Sequence, residues 1–220
     1  MGKLILLRHG KSVWNKKNIF TGWVDVSLSK EGIDEAFSAG KALSHVRFEA
    51  IFASTLSRAI MTLQLVMLEN QDPRTLILNH PEKKWCAHGI DEKRVLMAHC
   101  SDALNERYYG DFQGKNKDEI KLALGEKKFI EVRRSFQTPP PNGESLKMTV
   151  ERTLPYFKKE ILPQIKMGKT VLVVAHGNSI RGIVKEVMHL TDEEIVTCEI
   201  KTGEPLVFQY EGGNFKEGKI

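Results

Sequence analysis

Leu4-Ile5-Leu6-Leu7-Arg8-His9-Gly10-Lys11-Ser12 begins with four consecutive large aliphatic residues and ends in an Arg-His-Gly cluster. An unbroken apolar run this short reads as a strand covered on both faces, because a strand with one wet face alternates instead. The pattern returns far along the chain as Val171-Leu172-Val173-Val174-Ala175-His176-Gly177-Asn178. Residues 49–53 read as a third strand, 76–78 as a fourth and 205–210 as an edge strand, while helical spacing of apolar positions marks 29–45, 56–69 and 178–189. Strands alternating with helices predict an α/β three-layer sandwich, a mostly parallel central sheet covered by helices on both faces.

The middle of the chain is less regular. Residues 116–124 and 126–136 look helical, and Thr138-Pro139-Pro140-Pro141-Asn142-Gly143 reads as an extended connection. A further helix runs from Glu144 toward Ile165, with Pro155 and Pro163 expected to bend or split it. No repeat, low-complexity tract or shift in composition divides the chain, so 1–220 is expected to be a single domain.

Composition narrows the function. With 220 residues, 41% hydrophobic and 28% charged, the chain can bury a sizeable core, which excludes disorder as the main state. The net charge of +5 comes from 33 Lys and Arg interleaved with 28 Asp and Glu, without a basic block, so a nucleic-acid surface is not expected and a local pocket for small anions is. Cys86, Cys100 and Cys198 are odd in number and form no CxxC, which points to a reducing compartment. The apolar runs fall far short of the ~20 residues of a membrane helix. The N-terminal run is too short for a signal peptide, and Leu6 stands where a myristoylation signal needs Ser or Thr. A cytoplasmic protein with no membrane association is expected.

The chemistry lies where strands end, since ligands of open α/β sheets bind at the carboxyl edge. Neutral imidazole is a good nucleophile toward phosphorus near pH 7, and an adjacent Arg can hold two phosphoryl oxygens at once. Gly10 is expected to let the backbone approach the anion. Taken alone, Arg8-His9-Gly10 reads more simply as a strand cap. His176-Gly177-Asn178, which opens a helix whose free N–H groups face an anion, changes that balance. Arg58, in Ser54-Thr55-Leu56-Ser57-Arg58-Ala59, lies just past another strand. Two Arg and two His at three strand ends need an opposite charge to stay together, and a phosphate supplies it.

The residues also carry a resemblance. Leu7-Arg8-His9-Gly10-Lys11-Ser12-Val13-Trp14-Asn15 with Thr21-Gly22-Trp23-Val24-Asp25 resembles the N-terminal motif of the cofactor-dependent phosphoglycerate mutase family within the histidine phosphatase superfamily. Leu104-Asn105-Glu106-Arg107-Tyr108-Tyr109-Gly110, Gln113-Gly114-Lys115-Asn116-Lys117, Arg133-Arg134-Ser135-Phe136, Gly143-Glu144-Ser145-Leu146 and Ala175-His176-Gly177-Asn178-Ser179 extend it over most of the chain.

The resemblance implies that 3-phosphoglycerate and 2-phosphoglycerate, intermediates of glycolysis and gluconeogenesis, are interconverted through a phosphohistidine on His9. 2,3-Bisphosphoglycerate is implied as primer and intermediate, and no metal. Arg8, Arg58, His176 and the backbone near Gly177 would stabilise the transferred group. Glu106 would be the general acid or base, a role favoured if burial raises its pKa toward neutrality. Tyr109, Lys117, Arg133, Arg134 and Asn178 would grip the carboxylate and the second phosphate, with Ser12, Asn15, Thr21 and Gly22 on the other side.

Three departures from the longer family members stand out. The link at 138–143 is short, and the chain stops soon after Phe215, where they carry a tail that helps close the site, so a more open site with added phosphatase activity is expected. Residues 72–102 look like an insertion. It holds His80, Cys86, His88, His99 and Cys100, but their spacings fit no standard zinc motif, and a surface excursion or interface loop is expected instead. The alternative function is a broad-specificity histidine phosphatase of the same superfamily, against which Glu106 to Tyr109, Lys117 and Arg133-Arg134 weigh. A Ser hydrolase centred on Ser179 fails, because Gly182 comes one residue too late for a nucleophile elbow. The oligomeric state is left open, a homodimer being one option.

Overall fold

The computed structural model describes residues 1–79 and 91–220. Strands β1 (Gly2–Arg8), β2 (Ala50–Ser54), β3 (Thr75–Asn79), β4 (Val95–Ser101), β5 (Thr170–Ala175), β6 (Pro205–Glu211) and β7 (Asn214–Glu217) form one sheet in the order β3-β4-β2-β5-β1-β6-β7. The first five in that order are mutually parallel, β6 runs antiparallel to β1, and β7 runs antiparallel to β6. The expected sandwich is therefore present, with one change at its border: 205–210 is not the edge, because β7 pairs outside it through Tyr210 and Phe215.

The helices are α1 (Val13–Lys16), α2 (Lys30–Ala42), α3 (Ser57–Glu69), α4 (Lys117–Leu124), α5 (Glu126–Arg134), α6 (Leu146–Tyr156), α7 (Leu162–Lys166), α8 (Gly177–Met188) and α9 (Asp192–Thr197). On β1, Leu4 and Leu6 face the core built by α6 to α9, and Ile5 and Leu7 face the one built by α2 and α3. β5 does the same with Val171 and Val173 against Leu172 and Val174. All eight side chains are fully buried, at ~1.5–3 kcal/mol each for the larger ones, and this two-sided burial explains the unbroken apolar runs. Between α6 and α7, residues Phe157–Ile161 form a π-helical turn. Pro155 and Pro163 flank it, so the rod is re-registered rather than stopped, and Phe157, Ile161 and Ile165 stay fully buried.

Two strands fall inside the 72–102 stretch. β4 inserts between β2 and β3 and buries Leu96, Ala98 and Cys100, so this part of the stretch belongs to the sheet rather than to a surface excursion. Its alternating burial, with His99 on the wetter face, hid the strand behind residue types that suggested metal ligands. His80, Cys86 and His88 lie outside the described residues. Among the described residues, no helix is long and apolar enough to cross a membrane.

Candidate active site

The parallel register aligns Arg8 with Ala175, so His9 and His176 leave the sheet side by side. Their ring centroids are 4.8 Å apart. After β1 the chain turns to α2 on one face, and after β5 to α8 on the other. The crevice thus forms at a switch point of the sheet, where loops diverge and leave room for a ligand.

His9 is buried, and its Nδ1 lies 2.7 Å from the Gly10 carbonyl oxygen. A carbonyl can only accept, so Nδ1 carries the proton and Nε2 keeps the lone pair needed for attack. Burial, then Arg58 and Arg8, hold His9 well below the usual imidazole pKa, which keeps that lone pair unprotonated. The Gly10 N–H donates to Thr62 Oγ1, 3.0 Å away on α3. Gly10 answers to packing rather than to an anion: a Cβ there would stand 2.1 Å from the Gly32 carbonyl oxygen of α2.

Arg58 is buried and donates to the carbonyls of Gly22 at 2.6 Å and Val24 at 3.1 Å, tying the 20–24 loop to the head of α3. Burial pushes its pKa down to about 10, still well above neutrality. Arg8 donates from one terminal nitrogen to Ile200 O at 2.7 Å, while its Nε is buried without a partner. Thr21 Oγ1 and His176 Nδ1 are likewise buried and unpartnered. Unmet buried polar groups are costly, and the gathering of the Arg8 and Thr21 donors around His9 fits a ligand rich in acceptor oxygens, as a phosphoryl group is.

Glu106 follows a 3₁₀ turn after β4 and is fixed by donors converging on Oε1: Arg107 N at 2.8 Å, Asn178 N at 3.1 Å and Asn178 Nδ2 at 2.8 Å. Burial alone would raise its pKa, but Arg8, the Arg107 N–H, the Asn178 amide and Arg58 together outweigh burial and lower it. The expected rise toward neutrality is thus reversed, and Glu106 is a carboxylate in the free site. Arg152 of α6 holds the segment in place, donating to the carbonyls of Asp102, Ala103 and Glu106 while pairing with Glu144 at 3.0 Å.

A cavity of about 200 Å³ opens above these groups. Its wall contains Arg8, His9, Asn15, Thr21, Gly22, Arg58, Glu106, Tyr109, Lys117, Arg133, Arg134, Gly177 and Asn178, thirteen of the fifteen residues expected from the sequence. His176 lies behind His9 and is fully buried. Ser12 does not line the cavity: fully buried, it exchanges hydrogen bonds with Asn15, its Oγ accepting from Asn15 N and its N–H donating to Asn15 Oδ1. That reciprocal cap of α1 sets how Asn15 meets the cavity.

Lys117 begins α4, and burial, then Arg133 and Arg8, push its pKa down to about 8. Arg133 and Arg134 come from the last turn of α5, which rests on a small aromatic cluster of Phe20, Phe112 and Phe129. Arg181 and Glu199 also reach the cavity and were missed from the sequence. For Arg181 a signal existed: it sits three residues after Asn178 on the same helix face and donates to Asn178 Oδ1 at 3.1 Å. Glu199 offered none, since its place depends on how the segment after α9 returns over Arg8.

His9, Glu106 and His176 have ligand-type atoms within 4.8 Å of one another. The guanidinium groups of Arg8 and Arg58 bear on the same point, which favours an anion there over a metal ion.

Comparison with known proteins agrees with this geometry. The model of the histidine phosphatase superfamily, branch 1, matches residues 4–77 and 86–219. A 2,3-bisphosphoglycerate-dependent phosphoglycerate mutase of Chlamydia pneumoniae is 46% identical over 215 residues, covering 96% of this chain and 94% of that protein. One from Methanococcus vannielii is 47% identical over 220 residues, covering 98% and 94%. Among solved structures, Bacillus stearothermophilus YhfR superposes with a TM-score of 0.77 at 24% identity, covering 99% of this chain and 95% of its own. A mycobacterial glucosyl-3-phosphoglycerate phosphatase in complex with VO3 gives 0.77 at 20% identity, covering 100% and 98%, a likeness of fold alone. With a histidine at each of two neighbouring strand ends and a family match running almost from end to end, the chain belongs to branch 1 of the histidine phosphatase superfamily.

Proposed function

We propose that the protein interconverts 3-phosphoglycerate and 2-phosphoglycerate, the mutase step of glycolysis and gluconeogenesis, through a phosphohistidine on His9. The observation that carries this reading is that one cavity holds two cationic groups. Arg8 and Arg58 surround the nucleophile, and Lys117, Arg133 and Arg134 come from α4 and α5. A simple phosphomonoesterase needs only the first; a substrate with a second phosphate or a carboxylate uses both.

The chain's own residues then divide the work. His9 Nε2 accepts the phosphoryl group in line, with Arg8 and Arg58 neutralising charge on its equatorial oxygens. Glu106, ionised at rest, takes the proton of the substrate hydroxyl as that oxygen attacks the phosphohistidine, and returns it when the reaction runs the other way. With Oε1 occupied by three donors, Oε2 is the oxygen that moves the proton. Tyr109 and Asn178, linked by a 3.3 Å hydrogen bond, hold the substrate end beside Glu106. 2,3-Bisphosphoglycerate, when bound, supplies the phosphoryl group that charges His9; the unpartnered donors around His9 and the cations of α4 and α5 fit its two ends.

The test is a coupled assay of 3-phosphoglycerate conversion with and without 2,3-bisphosphoglycerate, alongside free phosphate. Conversion that depends on the primer and vanishes in His9→Ala supports the proposal. Phosphate release without 2-phosphoglycerate would make the protein a phosphatase.

A further inference from the structure

Ser54, the last residue of β2, is fully buried and its hydroxyl has three neighbours: Leu56 N at 3.1 Å, His176 Nε2 at 2.7 Å and Asn105 Oδ1 at 2.6 Å. The direction of each bond follows without seeing a hydrogen. Thr55 N lies 3.1 Å from the same Asn105 atom, and a backbone N–H can only donate, so that atom is the amide oxygen. Thr55 Oγ1, at 3.0 Å, adds a further donor to it. An amide oxygen only accepts, so Ser54 gives its one hydroxyl hydrogen to Asn105. One Ser54 lone pair takes Leu56 N–H, and the other takes a hydrogen from His176 Nε2.

Neutral His176 therefore carries its proton on Nε2 and presents a bare lone pair at Nδ1. That Nδ1 is buried, has no partner, and belongs to the ring packed against His9. A lone pair repels the oxygens of a phosphoryl group on His9. We propose that Ser54, held by Asn105, is a positioning residue that locks His176 in the Nε2–H tautomer, so that His176 bonds a phosphoryl oxygen only after taking a second proton at Nδ1. This rests on His9 being the phosphoryl acceptor. As the P–O bond to the donor breaks and the P–Nε2 bond to His9 forms, one proton moves from solvent to His176 Nδ1 and becomes the hydrogen of the new bond.

The groups facing His176 are His9 and Arg8 at the end of β1, Arg58 of α3, Arg152 of α6 and Glu106 after β4. Burial, then Arg58, His9, Arg8 and Arg152, hold its pKa well below the usual value while the site is free. An arriving dianion opposes that field. Ser54 and Asn105 thus make His176 a donor that is charged only with its ligand in place, and Glu106 supplies the only carboxylate in that set.

The experiment is ¹⁵N NMR of the histidine-labelled full chain at neutral pH, free and with orthovanadate as the phosphoryl probe. The expected result is His176 neutral with Nε2 protonated in the free protein, and both nitrogens protonated with vanadate. In Ser54→Ala the free protein should show Nδ1–H or a mixture. Its phosphorylation by an aryl phosphate should fall about 10- to 100-fold in kcat with little change in KM, as expected for a lost hydrogen bond to a charged group, and Ser54→Thr should restore most of it. Nδ1–H in the free wild type, or a neutral His176 with vanadate bound, overturns the proposal, and these spectra decide even if Ser54→Ala does not fold. Spectra as expected with no label ever appearing on His9 would instead overturn the reading of His9 and leave the tautomer lock standing.

Discussion

Replacing Glu106 by Gln separates proton transfer from every other task of that residue. The Gln carbonyl can occupy the place of Oε1 and still accept from Arg107 N, Asn178 N and Asn178 Nδ2, at 2.8, 3.1 and 2.8 Å. What disappears is the basic Oε2 and one negative charge near Arg8 and Arg58. A positioned general acid or base contributes on the order of 10²–10⁴ in rate, about 3–5.5 kcal/mol of barrier, so mutase kcat should fall by that range. Phosphate affinity should hold or rise slightly, because the two arginines lose a competing anion. The assay is single-turnover labelling of His9 from two donors, 2,3-bisphosphoglycerate and an aryl phosphate. The first must protonate an alkoxide leaving group and the second releases a stable phenolate, so only the first should slow by the full factor. Equal slowing from both donors would show that Glu106 orients the site and carries no proton. Because the Glu106 pKa is lowered in the free site, a carboxyl ¹³C titration of the ligand-free protein should place Glu106 below the ordinary carboxylate range; a midpoint near neutrality would contradict the electrostatics described above.

Lys117 yields a pH effect on binding. With its pKa pushed down to about 8, it loses charge above that pH, so KM for phosphoglycerate should climb through the alkaline range in wild type and stay flat in Lys117→Arg, as a KM–pH series would show. Arg133→Ala and Arg134→Ala should raise KM for phosphoglycerate while leaving His9 labelling by an aryl phosphate nearly unchanged, since they serve the end that is not transferred; equal losses for both substrates would place them at the reacting phosphorus. Gly10→Ala should destabilise the fold by at least the ~1–3 kcal/mol of overpacking, since its Cβ would stand 2.1 Å from a backbone oxygen that no rotamer change can move. Thermal unfolding would show this as roughly 2–4 °C per kcal/mol in a chain this long, and an unchanged Tm would mean that α2 shifts freely.

What was legible in the sequence was whatever is written in consecutive residues. β1 and β5 announced themselves because both faces are buried, and His9, Arg58 and His176 because each follows such a strand by a few positions. β4 was not legible: a strand with one wetter face and with His99 and Cys100 at its end looks like a metal-ligand cluster until its neighbours are known. The ionisation of Glu106 could not be read either, since burial and two arginines pull in opposite directions and only distances decide between them. Ser12 was read one step too directly, as a ligand residue rather than as the cap that sets Asn15.

The connection from β4 to α6 supplies Glu106, Tyr109, Lys117, Arg133 and Arg134, whereas His9 and His176 follow the ends of β1 and β5 and Arg58 sits in the first turn of α3. The cations proposed to grip the non-transferred end thus come from one stretch of the chain and the nucleophile from another, with Glu106 at the root of the first. The connection is clamped at its base, by Arg152 on the 102–106 carbonyls and by Arg107 on Val132 O, and beyond that it rests on an aromatic cluster shared with Phe20 and on hydrogen bonds to the N-terminal loop, such as Trp23 N to Gln113 Oε1 at 2.7 Å and Lys117 N to Asn18 O at 2.9 Å. Because Gln113 and Lys115 hold the 20–24 loop to which Arg58 is tied, a new specificity on this scaffold is better sought by changing the side chains of Lys117, Arg133 and Arg134 than by exchanging the whole segment.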